Sequence, residues 1–225
     1  MKKLESTFMN MVLSLVLIAS VAAAALAAIF SLTEENIKKQ EAEKQQQAIS
    51  YVLPNRGEGA IVAAPDTVTI PDAKGDIEVV IYRAYSDSCF CDSLYIGAAV
   101  QTTGNGFGGP QEIMVGFDPN GVIIDYQVLK HQETPGLGDK IKDWFKTDAG
   151  HQNILHRQAG TLAVSKAGGD VDAITAATIS SKAFLKAINV AYTALQPKEE
   201  GQPVEAVTSA SQIHVQKEET EVKDE

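Results

Sequence analysis

From Ser6 to Thr33 the chain carries no charged residue, an uninterrupted 28 positions with Met11-Val12-Leu13-Ser14-Leu15-Val16-Leu17-Ile18 at its heart. A bilayer core about 30 Å thick is crossed by roughly 20 such residues in a helix. Lys2 and Lys3 precede the run, and Glu34 and Glu35 follow it. The positive-inside rule then places the N-terminus in the cytoplasm and everything after Thr33 outside it. A cleaved signal peptide is the competing reading, with Ala25-Leu26-Ala27 as its cleavage site. The apolar run is longer than the ~7–15 residues of a signal h-region and continues past that site, which favours a retained anchor. No acid or base lies inside the run, so this segment alone makes no ion pathway. Its small face, Ala22 to Ala25 with Ala27 and Ala28, suits packing against partner helices.

The remainder is acidic. Net charge is -10 over 225 residues, which removes a basic nucleic-acid footprint. Two cysteines cannot form a disulfide scaffold or a four-cysteine metal site within one chain. Residues 34–50 are rich in Glu, Lys and Gln and read as a polar helical stalk. Strand patterns follow at 68–70, 77–82, 94–100, 112–117 and 122–129. Asp118-Pro119-Asn120-Gly121 is expected to close a hairpin with positive φ at both Asn120 and Gly121. Asp139 to Lys146 reads as a short helix and Ser180 to Leu195 as a longer amphipathic one. Gln196 to Glu225 holds 3 lysines, 8 acids and no aromatic residue, the composition of a disordered acidic tail. The expected organisation is an anchor at 1–33, the stalk at 34–50, one α+β domain with an antiparallel sheet and flanking helices at 51–195, and the tail at 196–225.

Three loops stand out in that domain. Gly104-Asn105-Gly106-Phe107-Gly108-Gly109 matches G-x-G-x-x-G, but Pro110 and a strand follow instead of the helix a dinucleotide fingerprint requires. It reads either as a plain glycine-rich connection or as a place where backbone approaches a ligand. His131-Gln132-Glu133-Thr134-Pro135-Gly136-Leu137-Gly138 is a rigid loop able to aim N–H groups at one spot, or an ordinary turn. Asp172-Ala173-Ile174-Thr175-Ala176-Ala177-Thr178-Ile179-Ser180-Ser181 delivers hydroxyls to the start of the last helix. Those hydroxyls are N-caps, or they sit where free N–H groups favour a phosphate.

Taken in this order, the three loops resemble the FMN-binding domain found in the G subunit of the Rnf ion-translocating electron transport complex. The anchor, the hairpin and the final helix match as well, so the resemblance spans residues 1 to about 195. It implies a covalent flavin. In that family a flavin transferase joins FMN through its phosphate to the threonine ending a Ser/Thr-Gly-Ala-Thr motif, and the matching residue is Thr178. Asp172 matches the acidic residue of the transferase motif. Thr175 replaces the usual Ser and Ala176 the usual Gly; the second change matters only if positive φ is required there. By the same resemblance Glu133, Thr134, Gly136, Leu137 and Gly138 contact the isoalloxazine. Gly106, Gly108 and Gly109 leave room for the flavin or its ribityl-phosphate arm, and Thr175 and Ala177 flank the linkage.

The implied function is a covalent-flavin electron-transfer subunit, not catalytic alone, of a ferredoxin:NAD oxidoreductase that moves sodium ions or protons. Its implied partners are the complex's other membrane subunits and its iron–sulfur subunits, with a flavin transferase for maturation and no nucleic acid. Its place is the cytoplasmic (inner) membrane, crossed once, with the main domain on the periplasmic side. The C subunit of the sodium-translocating NADH:quinone reductase shares the motif, and a non-redox anchored scaffold is the rival from another class. A hydrolase lacks any nucleophile–base pair in the loops. Cys89-Phe90-Cys91 reads as free or buried thiols or a labile pair, since an i,i+2 disulfide is strained. His151 and His156 read as surface residues. Trp144 reads as core, with its nearness to the Glu133 loop leaving cofactor stacking open.

Overall fold

The computed structural model describes residues 8–72, 75–87, 90–91 and 94–196. The tail from residue 197 onward lies outside them, as do Lys2, Lys3 and Cys89. Cys91 is disulfide-bonded. Contacts divide the chain into two units, 1–46 and 47–225. The first is carried by helix α1 (Phe8–Val52), a helix long and apolar enough to cross a membrane. Its apolar side chains are exposed, from Leu13 and Leu17 through Ile29 and Phe30.

The second unit is built on an antiparallel sheet. Its strands are β1 (Ile61–Val62), β2 (Asp66–Ile70), β3 (Ile77–Tyr85), β4 (Tyr95–Asn105), β5 (Pro110–Phe117) and β6 (Ile123–Lys130). The order is β1-β3-β4-β5-β6, with β2 also beside β3, so the centre is a meander. Both faces of this sheet are covered, which is why the middle strands are nearly continuously buried. Alternation along β4 and β5 sorts residues between the two faces. Ala98, Val100, Ile113 and Val115 face the main core under helix α2 (Thr178–Leu195). Ala99 and Met114 face Ala48 and Val52 from the end of α1 and Leu53 just beyond it. That second face is kept flat by small residues. A Cβ on Gly116 would fall 1.8 Å from the Val52 carbonyl oxygen, so the helix end lies directly on the strand backbone.

Within the main core, Phe184 of α2 stacks on Phe145 at 4.9 Å and meets Tyr126 edge-on at 4.9 Å. The buried Tyr126 hydroxyl donates to the Ile141 carbonyl at 2.8 Å. Burial pushes its pKa far above the ordinary tyrosine range, which keeps the donor protonated. Lys146 pairs with Asp125 at 2.6 Å and lies over the rings of Tyr126 and Tyr51. The expected helix over 139–146 is instead two 3-10 turns, Gly138–Lys142 and Trp144–Lys146. The 118–121 turn also differs from expectation. Of its central residues only Gly121 has positive φ, at 80°. The Asp118 carboxylate fixes the turn by accepting from the Asn120 and Val122 N–H groups at 2.9 and 2.8 Å. An Asx turn followed by a left-handed glycine replaces the expected Asn-Gly hairpin geometry.

Candidate functional site

The site forms where the β4–β5 hairpin, the loop after β6 and the start of α2 converge. Each part is shaped by a local rule. Thr134-Pro135-Gly136-Leu137 closes with Leu137 N–H donating to the Thr134 carbonyl at 3.1 Å. Proline second and glycine third, with φ +77° at Gly136, is a type II turn. The hairpin closes with Gly106 N–H donating to the Gly109 carbonyl at 2.9 Å, and Gly109 takes a φ of +142°.

Helix α2 opens at Ala177, and no side chain caps it. The first helical bond runs from Ser181 N–H to the Ala177 carbonyl at 3.0 Å. The N–H groups of Thr178, Ile179 and Ser180 therefore precede the ladder. The neighbouring hydroxyls are used elsewhere, contrary to the N-cap expectation. Ser180 donates to Glu133 Oε2 at 2.7 Å, and Ser181 donates to the Ala177 carbonyl while accepting from Ile174 N–H.

Glu133 is the knot of the site. It is 6 % exposed, and its carboxyl accepts from Gln111 Nε2 and from Ser180 Oγ, each at 2.7 Å. Its own N–H donates to His131 Nδ1 at 3.3 Å. One side chain thus joins β5, the post-β6 loop and the first turn of α2. The glycines follow from it. A Cβ at Gly106 would lie 1.9 Å from Glu133 Oε1, and one at Gly138 would lie 2.4 Å from Oε2. A Cβ at Gly108 would lie 2.1 Å from the Gln132 carbonyl oxygen.

Between these segments lies a cleft of about 300 Å³. Phe107 lines it from the hairpin tip, Glu133, Thr134, Leu137 and Gly138 from the loop, and Ala176 to Ser180 from the helix start. Of the residues expected from sequence, Glu133, Thr134, Leu137, Gly138, Ala177 and Thr178 are brought together here. Gly106, Gly108, Gly109, Gly136 and Thr175 are not among the lining residues. Gly106 and Gly108 admit protein atoms where the sequence suggested room for a ligand. Asp172 also stands apart from the lining. Its carboxylate accepts from His151 N–H at 3.0 Å, and its carbonyl accepts from Trp144 Nε1 at 2.9 Å. It thereby shapes the segment entering the Thr175–Thr178 motif. Trp144 is tied to that carbonyl and packs against the core. Sequence reasoning missed Phe107, Ile179 and Ser180 as lining residues. Phe107 carried a signal, being the one aromatic residue in a run of glycines.

Ala176 has φ +64°. The motif's usual glycine therefore sits where backbone does require left-handed φ, and alanine there is strained by about 1–2 kcal/mol. Ala176→Gly, after the added unfolded-state entropy of glycine, is expected to stabilise by about 0.5–1 kcal/mol. Thermal unfolding of the full chain checks this, and a lowered melting temperature would contradict it.

The residues fit a flavin mononucleotide. An uncapped N-terminus of an 18-residue helix favours a phosphate. Phe107, Leu137 and Ile179 are 73 %, 42 % and 57 % exposed at a cleft lining, the kind of apolar surface a flat ring covers. The comparisons agree. The family model for the FMN-binding domain matches residues 106–193, from the hairpin glycines to the last turn of α2, so the second unit contains an FMN-binding domain. Over 183 residues the chain is 33% identical to the G subunit of the ion-translocating oxidoreductase complex of Escherichia coli strain K12, covering 78% of this chain and 85% of that one. It is 32% identical over 189 residues to the corresponding G subunit of Yersinia pestis, covering 82% and 88%. It is 30% identical over 191 residues to that of Methanosarcina acetivorans, covering 84% and 95%. The chain belongs to this G-subunit family of ion-translocating oxidoreductase complexes.

Proposed function

We propose that this chain is the flavin-carrying electron-transfer subunit of an Rnf-type ferredoxin:NAD oxidoreductase, with FMN held covalently through its phosphate on Thr178. One observation carries the reading: Thr178 is the first residue of an uncapped helix and lines a cleft with an exposed apolar rim. When bound, the flavin supplies the electron-transfer chemistry. The chain's own residues do the rest. The N–H groups of Thr178, Ile179 and Ser180 offset the phosphate charge together with the positive end of the helix dipole. Leu137 and Ile179 keep water from the ring, and Glu133 holds the loop and the helix start in register. The single apolar helix anchors the chain, and the lysines before it favour an orientation with the domain outside the cytoplasm. Membrane and iron–sulfur subunits of the complex are its partners, and a flavin transferase matures it, recognising the segment that Asp172 shapes.

The test is in-gel flavin fluorescence of the exported full chain, run under denaturing conditions after co-expression with a flavin transferase. A fluorescent band at the mass of the chain supports the reading. A folded, exported chain without fluorescence would sink it and leave an anchored scaffold as the alternative.

A further inference from the structure

We propose that Phe107 is the residue that covers one face of the flavin ring, an inference that rests on the reading of Thr178 above. Phe107 stands at the tip of the β4–β5 hairpin, 73 % exposed. It lines the same cleft as Thr178 and is the only aromatic residue that does so among the described residues. Ring contacts elsewhere in the domain pair Tyr85, Phe117, Tyr126, Phe145 and Phe184 with other aromatics, and among the described residues none involves Phe107. Phe107 is not a lone exposed ring: with the exposed Leu137 and Ile179 it shares one cleft lining, and a grouped apolar surface of that kind marks a ligand groove.

The tip is also held in place. Gly106 and Gly108 flank Phe107, and the space where their Cβ atoms would stand is filled by Glu133 Oε1 and the Gln132 carbonyl. Backbone on both sides of Phe107 is therefore pressed against the 132–133 segment. The Gly106 to Gly109 hydrogen bond closes the tip over it. A tip built this way fixes the position of one side chain, and that side chain is an aromatic ring at the cleft. Offset stacking on a flat conjugated ligand is the interaction such a ring offers. Leu137 supplies an aliphatic surface to the same cleft from the opposite loop.

The experiment uses the full chain, co-expressed with a flavin transferase, as wild type, Phe107→Trp and Phe107→Ala. Flavin load is normalised by fluorescence after denaturation. An indole in contact with an isoalloxazine quenches its emission far more than a benzyl ring does. Phe107→Trp is therefore expected to lower native flavin emission several-fold at equal load, and denaturation should restore it. Phe107→Ala is expected to raise quenching by iodide about twofold or more, because one ring face becomes open to solvent. Melting temperatures of the same chains expressed without the transferase should stay at the wild-type value, since Phe107 is exposed and stands outside the core clusters. Unchanged native emission in Phe107→Trp, with unchanged iodide quenching in Phe107→Ala, would overturn the role of Phe107 while leaving the flavin on Thr178 intact. Absence of a fluorescent wild-type band in the denaturing gel would instead overturn the flavin reading and this inference with it.

Discussion

Thr178→Ala is expected to give an exported, folded chain with no covalent flavin at all, and Thr178→Ser to keep the flavin. Among the hydroxyls at the start of α2, Thr178 is the one the fold leaves available. Ser180 is 1 % exposed and committed to Glu133, and Ser181 is fully buried and committed to Ala177 and Ile174. Thr175 is exposed but outside the cleft lining. Thr178 is half-buried, lines the cleft and makes no side-chain hydrogen bond among the described residues. Truncating it removes no buried contact network, so stability should stay within about 0.5 kcal/mol of wild type. Chemistry and folding thus separate cleanly in this variant. In-gel fluorescence, intact mass and a melting curve on one preparation check all three parts. A fluorescent Thr178→Ala band would mean that another residue carries the linkage.

Glu133→Ala is expected to be the most damaging single change near the site. It leaves the buried Gln111 amide and the buried Ser180 hydroxyl without their acceptor. Each orphaned buried donor costs about 1–3 kcal/mol, so a loss of roughly 3 kcal/mol is expected. For a domain of this size each kcal/mol shifts the melting temperature by about 2–4 °C, which puts the drop near 6–12 °C. Glu133→Gln keeps the shape and one acceptor oxygen, and the Ser180 hydroxyl can rotate to accept from the new amide. Its cost should be about 1 kcal/mol. Because Glu133 joins the loop to the first turn of α2, flavin attachment should fall in Glu133→Ala as well. Melting of the detergent-solubilised full chain measures the effect. A Glu133→Ala melting temperature within a degree of wild type would show that the carboxyl holds nothing together.

The strands and the final helix were legible because their signals are local. The β-branched run at 77–82, the continuous apolar run at 113–117 and the spacing of Ala183, Phe184, Ala187, Ile188 and Ala191 belong to the segments themselves. What could not be read depends on partners far along the chain. Residues 160–162 run irregularly because the Asn189 side chain binds the N–H groups of Gly160 and Leu162 and the Leu162 carbonyl. Nothing near 160 announces that. The place of Thr178 at the start of the last helix was readable from the sequence, whereas the reason for the glycines was not. They read as room for a ligand, but the spaces beside Gly106 and Gly108 are filled by Glu133 and Gln132, which lie beyond strands β5 and β6. Phe107 stood out in the sequence as the aromatic residue among glycines, but only the fold brings that hairpin tip to the start of α2.

The packing of Gly106 and Gly138 against the two oxygens of one carboxyl has an evolutionary consequence. Substitutions at 106, 133 and 138 are therefore expected to be coupled rather than additive. While glutamate stands at 133, an alanine at 106 or 138 meets an oxygen and is selected against. Once 133 shortens, an alanine at 138 has the space the carboxyl vacates, whereas one at 106 still meets Gln111 Nε2 at 2.2 Å. Order is therefore expected to matter at 138: shortening 133 first admits an alanine there, and an alanine already at 138 bars the return of the glutamate by a single step.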